Sequence, residues 1–503
     1  MLDEDGLVRC LQSSNPLPLL KEFSNDALAN PSDFPALKAG REFVWSSIFK
    51  KIQSEPDILY YLKTLRVLSR DKEGIEEFVT EERVAVLFRC AGFGENNYNV
   101  DCVVEALKCM CNLMLNYNKT AQYLEDLNTV KYAVKRINSK DTVNEEKIYD
   151  IKLLFLITAL NRSARLKAFQ EARGLNLFTN LLKEESNFTN MTEERVKFCC
   201  DIIKLMFNVL IEIEPDKPNT RCDASEILKL TTVLKDLLSC NLEYAKRLHN
   251  DVINLLTVIP KIDLLVLIAP GQGSSEPDFS TLDNIINHMD ILLTELESNP
   301  KIPKDTLSPI LLVLFRLAEL HNLSRKYMRF KILPKLTDVS TRPEEGKTIR
   351  NKLCRLLTCP VQCISDLVAD FLFVLCKENV ARMVKHTGFG NAAGLLARRG
   401  LLGAPGDYSS DSEDSETEEY SRDKHLINPI IGCKDEPRVN ILDSMPYEQK
   451  EFLAMELVNK IDQLQRGGII QPCRIVDGRP EPIESLQELQ LAMKPNENNE
   501  DSS

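Results

Sequence analysis

A short phrase recurs along the first half of this chain: an apolar residue, a lysine, one variable residue, then Leu or Met leading into more apolar positions at helical spacing. It occurs at Leu62-Lys63, Leu107-Lys108, Ile151-Lys152 and Ile203-Lys204, with the lysines 45, 44 and 52 residues apart. A period near that value is the mark of armadillo or HEAT units of about 40 to 47 residues, and the longer interval accommodates an insertion. One such unit leaves its apolar face uncovered, whereas a stack buries a continuous core. The phrase therefore predicts a helical array. Later apolar runs keep the form without the lysine, at Val252 to Ile259, Leu307 to Leu320, Ile349 to Leu357 and Leu367 to Cys376. Roughly eight or nine repeats are expected.

The rest of the composition agrees with an all-α class. At 503 residues the chain is too long for one compact core, and it has one Trp and few alternating β-branched runs. Fifteen cysteines sit mostly in apolar helical contexts. With no secretory leader read at Met1, they are expected to be buried thiols in a reducing, cytoplasmic setting. The apolar run at Ile310 to Phe315 is cut by Arg316. It falls well short of the ~20 residues a membrane span needs, so no membrane insertion is expected.

Charge separates the body from the tail. Residues 407–503 hold 10 basic and 22 acidic side chains, while residues 1–406 hold 53 of each, so the whole net charge of -12 follows the body. The expected organisation is an array over 1–403, an acidic Ser-rich linker over 404–445, an amphipathic helix over 446–466, and a mostly disordered remainder over 467–503. The linker's APGDYSSDSEDSETEEY core is too poor in apolar residues to offset its ordering entropy. The helix carries Leu453, Leu457, Ile461 and Leu464 on one face, with Pro446 at its start and Gly467-Gly468 at its end.

Catalytic signatures are absent from the sequence. The five histidines are scattered, no zinc-protease, nucleophile-elbow or Walker motif occurs, and Cys354, Cys359 and Cys363 form one cluster without a partner set. Neither a metal nor a cofactor is expected. Gly388-Phe389-Gly390 follows a helical run and lacks a Lys-Ser/Thr ending, so it reads as a helix-to-helix turn. Two polar features point to a binding surface. Asn112 and Asn208 both lie four residues after a repeat lysine, where other repeats have Val67 and Leu156. Each either bonds a neighbouring helix or faces a groove. Arg66 and Arg70 belong to the corresponding helix of the first repeat. Residues 322–355 carry ten basic side chains against three acidic ones. With few interleaved aromatics and a neutral array, this strip suits a carboxylate-bearing protein or the chain's own tail, not a nucleic acid.

Several stretches resemble the synembryn family, armadillo-type exchange factors and folding chaperones for heterotrimeric G-protein α subunits. They are LRVLSRDK at Leu65 to Lys72, EALKCMCNLM at Glu105 to Met114, IKLLFLITAL at Ile151 to Leu160, IRNKLCRLLT, ADFLFVLC, TGFGNAAGLLARRGL, EQKEFLAMELV and IIQP, in family order. Phe389 and Arg398 depart from the family's usual residues. The resemblance implies an armadillo/HEAT-type superhelix that grips the C-terminal helix of Gα in its concave groove and stabilises the nucleotide-free state until GTP binds. It implies groove contacts at Arg66, Arg70 and Asn112, and at Arg350, Asn351, Lys352 and Arg355. The helix bearing Leu453, Leu457, Ile461 and Leu464 would reach Gα near its switch region. Ser410 and Ser415, each with a Glu three residues on, resemble phosphorylation positions suited to an acidophilic kinase such as casein kinase II. Recruitment to the cell cortex would follow Gα. The competing expectation is an adaptor that docks a peptide without affecting nucleotide.

Overall fold

Helices here begin where the sequence supplies an acceptor for their first free amides. Thr80, Asn99, Thr192 and Asn379 each accept from the amide three residues on, and Thr348 with Asn351 forms a reciprocal capping box. The computed structural model describes residues 3–29, 39–94, 98–186, 191–212, 223–240, 245–271, 275–403, 416–435, 445–469, 473–476 and 479–482.

The chain forms two units, 1–433 and 434–503. In the first, eight helices stand in a row, each packed on the next: α1 (Leu17–Ala29), α2 (Leu59–Leu68), α3 (Val100–Asn116), α4 (Asn144–Leu160), α5 (Glu193–Leu210), α6 (Ala245–Leu256), α7 (Ser308–Leu320) and α8 (Gln362–Leu375). This is the all-α armadillo-type array that the period predicts. The four repeat lysines fall on α2 to α5, and α3 and α4 are both 17 residues long with the lysine at the same position. A second layer backs the row; its later members Ala224–Leu238, Ser280–Ser298, Ile349–Leu357 and Phe389–Arg398 pack on one another in order.

One apolar core runs through all of these helices, from Leu7 to Leu396. The single Trp, Trp45, is fully buried between Phe49 and Phe78. Arg136 joins adjacent repeats, with its guanidinium on both carboxylate oxygens of the wholly buried Asp150 and stacked 4.3 Å over Phe93. Most cysteines are buried free thiols, but Cys359 is half-buried and Cys363 exposed.

The ordered body extends past the expected boundary at 403. Residues 416–433 return to the last repeats, with Glu416 paired to Lys385 at 3.0 Å and Thr417 Oγ1 donating to the Leu336 carbonyl at 2.6 Å. Tyr420 is buried against Leu336 and Val339, under the Lys385 ammonium at 4.4 Å. The Phe389 and Gly390 amides donate to the carbonyls of Pro429 and Ile430, both at 2.9 Å. Gly388 is thus the junction between helices Val380–Thr387 and Phe389–Arg398, and Phe389 and Gly390 open the second of these with their amides taken by this returning strap. The strap's own apolar residues Tyr420 and Ile427 supply its burial.

In the second unit, helix α9 spans Tyr447–Arg466, and none of its residues is buried. Leu457 is 60% exposed, with Leu453 and Leu464 also exposed and Ile461 half-buried. Strands Cys473–Val476 and Arg479–Pro482 pair antiparallel.

Candidate partner-binding groove

Five consecutive row helices, α2 to α6, wall a cavity of about 550 Å³. Its floor is apolar and aromatic, from Cys111, Leu115, Tyr149, Phe155 and Leu156, and Leu115 is 61% exposed there. Its walls carry Arg66, Arg70, Lys108, Lys152, Lys197, Lys204 and Arg247 with the carboxylate of Asp201, and four of these cations are ion-paired: Arg66 and Lys108 with Glu105, Lys197 with Glu193 and Lys204 with Asp251. An open apolar floor between rows of cations fits an amphipathic segment that carries acidic groups.

The repeat register places these cations. Lys108, Lys152 and Lys204 hold one position on three successive helices, so they line up along the groove. Lys108 lies 4.9 Å from the Tyr149 ring centroid and Lys152 6.0 Å from the same ring, while Lys204 lies 6.0 Å from that of Phe155. Ring faces lie against these ammonium groups, and Lys108 is also paired with Glu105 at 3.1 Å and Lys204 with Asp251 at 3.3 Å. Sequence reasoning reads these lysines only as markers of the period. The signal that they form a surface is the period itself, since a side chain repeated once per unit must recur on one face of the stack.

Among the residues singled out from sequence, Arg66, Arg70 and Asn112 meet in this groove. Arg66 binds Glu105 at 2.9 Å and keeps a buried Nε–H without a partner among the described residues. Arg70 donates to the Ala27 carbonyl at 3.1 Å, and burial, then the neighbouring Arg66, lowers its pKa from the ordinary arginine value. Asn112 and Asn208 both use their amide nitrogen within the array. Asn112 donates to the Arg66 carbonyl and Ser69 Oγ, both at 3.2 Å, and Asn208 to the Phe155 carbonyl at 3.2 Å and Thr158 Oγ1 at 3.1 Å. Of the two possibilities open for these residues, the bond to a neighbouring helix is present in both.

The late set lies elsewhere. Arg350, Asn351, Lys352 and Arg355 sit on the second-layer helix Ile349–Leu357, away from this cavity, and each is engaged internally. Arg350 Nε donates to the His386 carbonyl at 2.7 Å, and Asn351 is spent on its capping box and the Pro343 carbonyl at 2.8 Å. Lys352 pairs with Asp290 at 2.6 Å, and Arg355 Nε donates to Glu297 at 3.0 Å. The expectation of a partner-facing row there meets side chains committed to holding the repeats together. Their carboxylate partners lie roughly sixty residues earlier in the chain, where sequence inspection does not look. Ser410 and Ser415 lie outside the described residues.

The model of the family described as guanine nucleotide exchange factor synembryn matches residues 61–479. The chain is 36% identical over 463 residues to Chaperone Ric-8A of Xenopus tropicalis, an alignment covering 86% of this chain and 85% of that protein. It is 34% identical over 490 residues to Chaperone Ric-8 of Drosophila pseudoobscura pseudoobscura, covering 85% of this chain and 86% of that one. Among solved structures, an engineered protein aligns at a TM-score of 0.48 with 16% identity, over 82% of this chain and 86% of the other. A match to the family model across most of the chain, with relatives at this identity over most of their length, settles the assignment: the chain belongs to the synembryn family of guanine nucleotide exchange factors.

Proposed function

We propose that this protein is an exchange factor and folding chaperone for heterotrimeric G-protein α subunits, binding the Gα C-terminal helix in the groove of α2 to α6. The observation that carries the reading is the groove itself, a contiguous apolar floor flanked by seven cations and open enough to leave Leu115 61% exposed. The terminal carboxylate of a bound chain suits Arg66 and Arg70, because a guanidinium fork binds a carboxylate through two parallel bonds. Asn112, with its nitrogen committed, has its amide oxygen as the acceptor for a partner amide. Withdrawing the C-terminal helix from the Gα domain loosens the nucleotide pocket, and GDP leaves. Coupling is mutual, so GTP must weaken the complex by the factor with which the complex weakens nucleotide. No bond is made or broken by the exchange factor.

Helix α9, whose apolar arc is exposed, is the element that reaches the Gα switch region through Leu453, Leu457, Ile461 and Leu464. Phosphorylation of Ser410 and Ser415 by an acidophilic kinase such as casein kinase II would add charge beside a strap already held by the Lys385–Glu416 pair. Among the described residues no helix is long and apolar enough to cross a membrane, and recruitment to the cell cortex would come through Gα.

The test is release of labelled GDP from purified Gα. Arg70→Ala is expected to weaken binding of the Gα C-terminal peptide by about 1–3 kcal/mol and slow release in proportion, with the fold intact at the assay temperature. Tight binding with GDP release at the rate of free Gα would replace this reading with that of an adaptor.

A further inference from the structure

The row helices from α2 to α5 come in two like pairs. The asparagine four residues past the lysine occurs on α3 and α5, and in each case it donates to a carbonyl and a hydroxyl of the helix before it. The pairs α2–α3 and α4–α5 are thus two copies of one block, and their groove positions can be compared directly.

Three residues before the lysine, the second helix of each block carries an acid: Glu105 in the first, Asp201 in the second. Glu105 is closed off, with Arg66 of the preceding helix at 2.9 Å and its own Lys108 at 3.1 Å. In the second block the position of Arg66 is taken by Phe155, which offers no charge, and Lys204 turns to Asp251 on α6 at 3.3 Å. Asp201 is left half-buried on the groove wall, with no hydrogen bond or ion pair among the described residues. Burial raises its carboxyl pKa, against the pull of Lys152, Lys204 and Arg247.

A carboxylate in this position loses more water when a helix fills the groove, a cost that a charge-assisted bond from the incoming helix offsets. We infer that Asp201 is a specificity-determining residue that pairs with a lysine or arginine on the bound helix, which supplies to the second block what Arg66 supplies to the first. The inference rests on the reading of the groove as the Gα site. A helix with an acid or an apolar residue at that place leaves Asp201 desolvated and unpaired, and is selected against.

The test uses the full chain and synthetic peptides of the Gα C-terminal helix in which each basic residue in turn is replaced by methionine. Asp201→Asn is expected to weaken the unmodified peptide about tenfold, and to have no further effect on one peptide of the set, the one that has lost the paired residue. Phe155→Arg, which brings an arginine to Asp201 from within the chain, is expected to reproduce that pattern. Equal effects of Asp201→Asn on every peptide, or none on any, would overturn the inference and leave Asp201 a counter-ion to the groove lysines. Arg70→Ala in the same assay separates the two levels. If it too leaves binding unchanged, the groove reading falls; if it weakens binding while no peptide position couples to Asp201, only the present inference falls. Unchanged thermal unfolding of Asp201→Asn keeps the result interpretable whether or not Phe155→Arg folds.

Discussion

His288 and His249 meet edge to face with ring centroids 5.7 Å apart, and His288 Nε2 donates to Asn250 Oδ1 at 2.6 Å. Burial first, then the charges of His249 and Lys246, push the His288 pKa from 6.5 down to about 4, with Glu295 opposing. Between these values the unfolded chain holds a proton that the folded one lacks, so stability rises with pH across that window and is lost as pH falls through it. The melting temperature should therefore drop between pH 6.5 and pH 4. His288→Gln, which does not titrate, should flatten that slope, His288 accounting for on the order of 2–3 kcal/mol of it. Legibility at this scale follows how local each partner is. Arg66 and Arg70 are recognisable because the repeat places the first on a groove helix and the second just past its end, whereas the commitment of Lys352 to Asp290 depends on a helix in another repeat. Asp201 is legible only by alignment of the two blocks, because its importance lies in the arginine that Phe155 replaces.

At the scale of elements, the row helices α2 to α5 follow from sequence because lysine and apolar spacing repeat together; the later runs are less exact, since Val252 to Ile259 catches only the end of the helix Ala245–Leu256 and Ile349 to Leu357 belongs to the second layer. The strap over 416–433 does not follow from sequence. Its first residues are acidic, its burial comes from Tyr420 against residues eighty positions away, and its anchors are backbone carbonyls that no side-chain pattern reveals. Glycine makes its closest approach possible. Gly432 has φ +73, and a Cβ there would meet Pro343 Cγ at 2.7 Å and Gly388 Cα at 3.0 Å. Gly432→Ala is thus expected to loosen the strap by about 1–3 kcal/mol. Hydrogen exchange should then show the Phe389 and Gly390 amides losing protection while amides of α3 and α4 keep theirs. Equal protection in both proteins would show that the strap tolerates the added methyl.

For the whole molecule, the feature with the widest reach is the uneven placement of charge on a body that is neutral in total. Residues 1–406 hold equal numbers of acidic and basic side chains, yet the groove wall concentrates seven cations against one acid. Counting also Glu105, Glu145, Glu193 and Asp251, which pair with those cations, the groove region holds seven cations against five acids, a modest local excess of positive charge. Such an excess turns an acidic helix toward the groove before contact, so encounters are oriented rather than random. The association rate with a Gα C-terminal peptide should accordingly fall steeply as ionic strength rises, while the dissociation rate changes little. Stopped-flow measurement of both rates across a salt series checks this. Neutrality of the body would then describe its total charge alone, and capture of a partner would begin about a Debye length, roughly 10 Å, outside the groove.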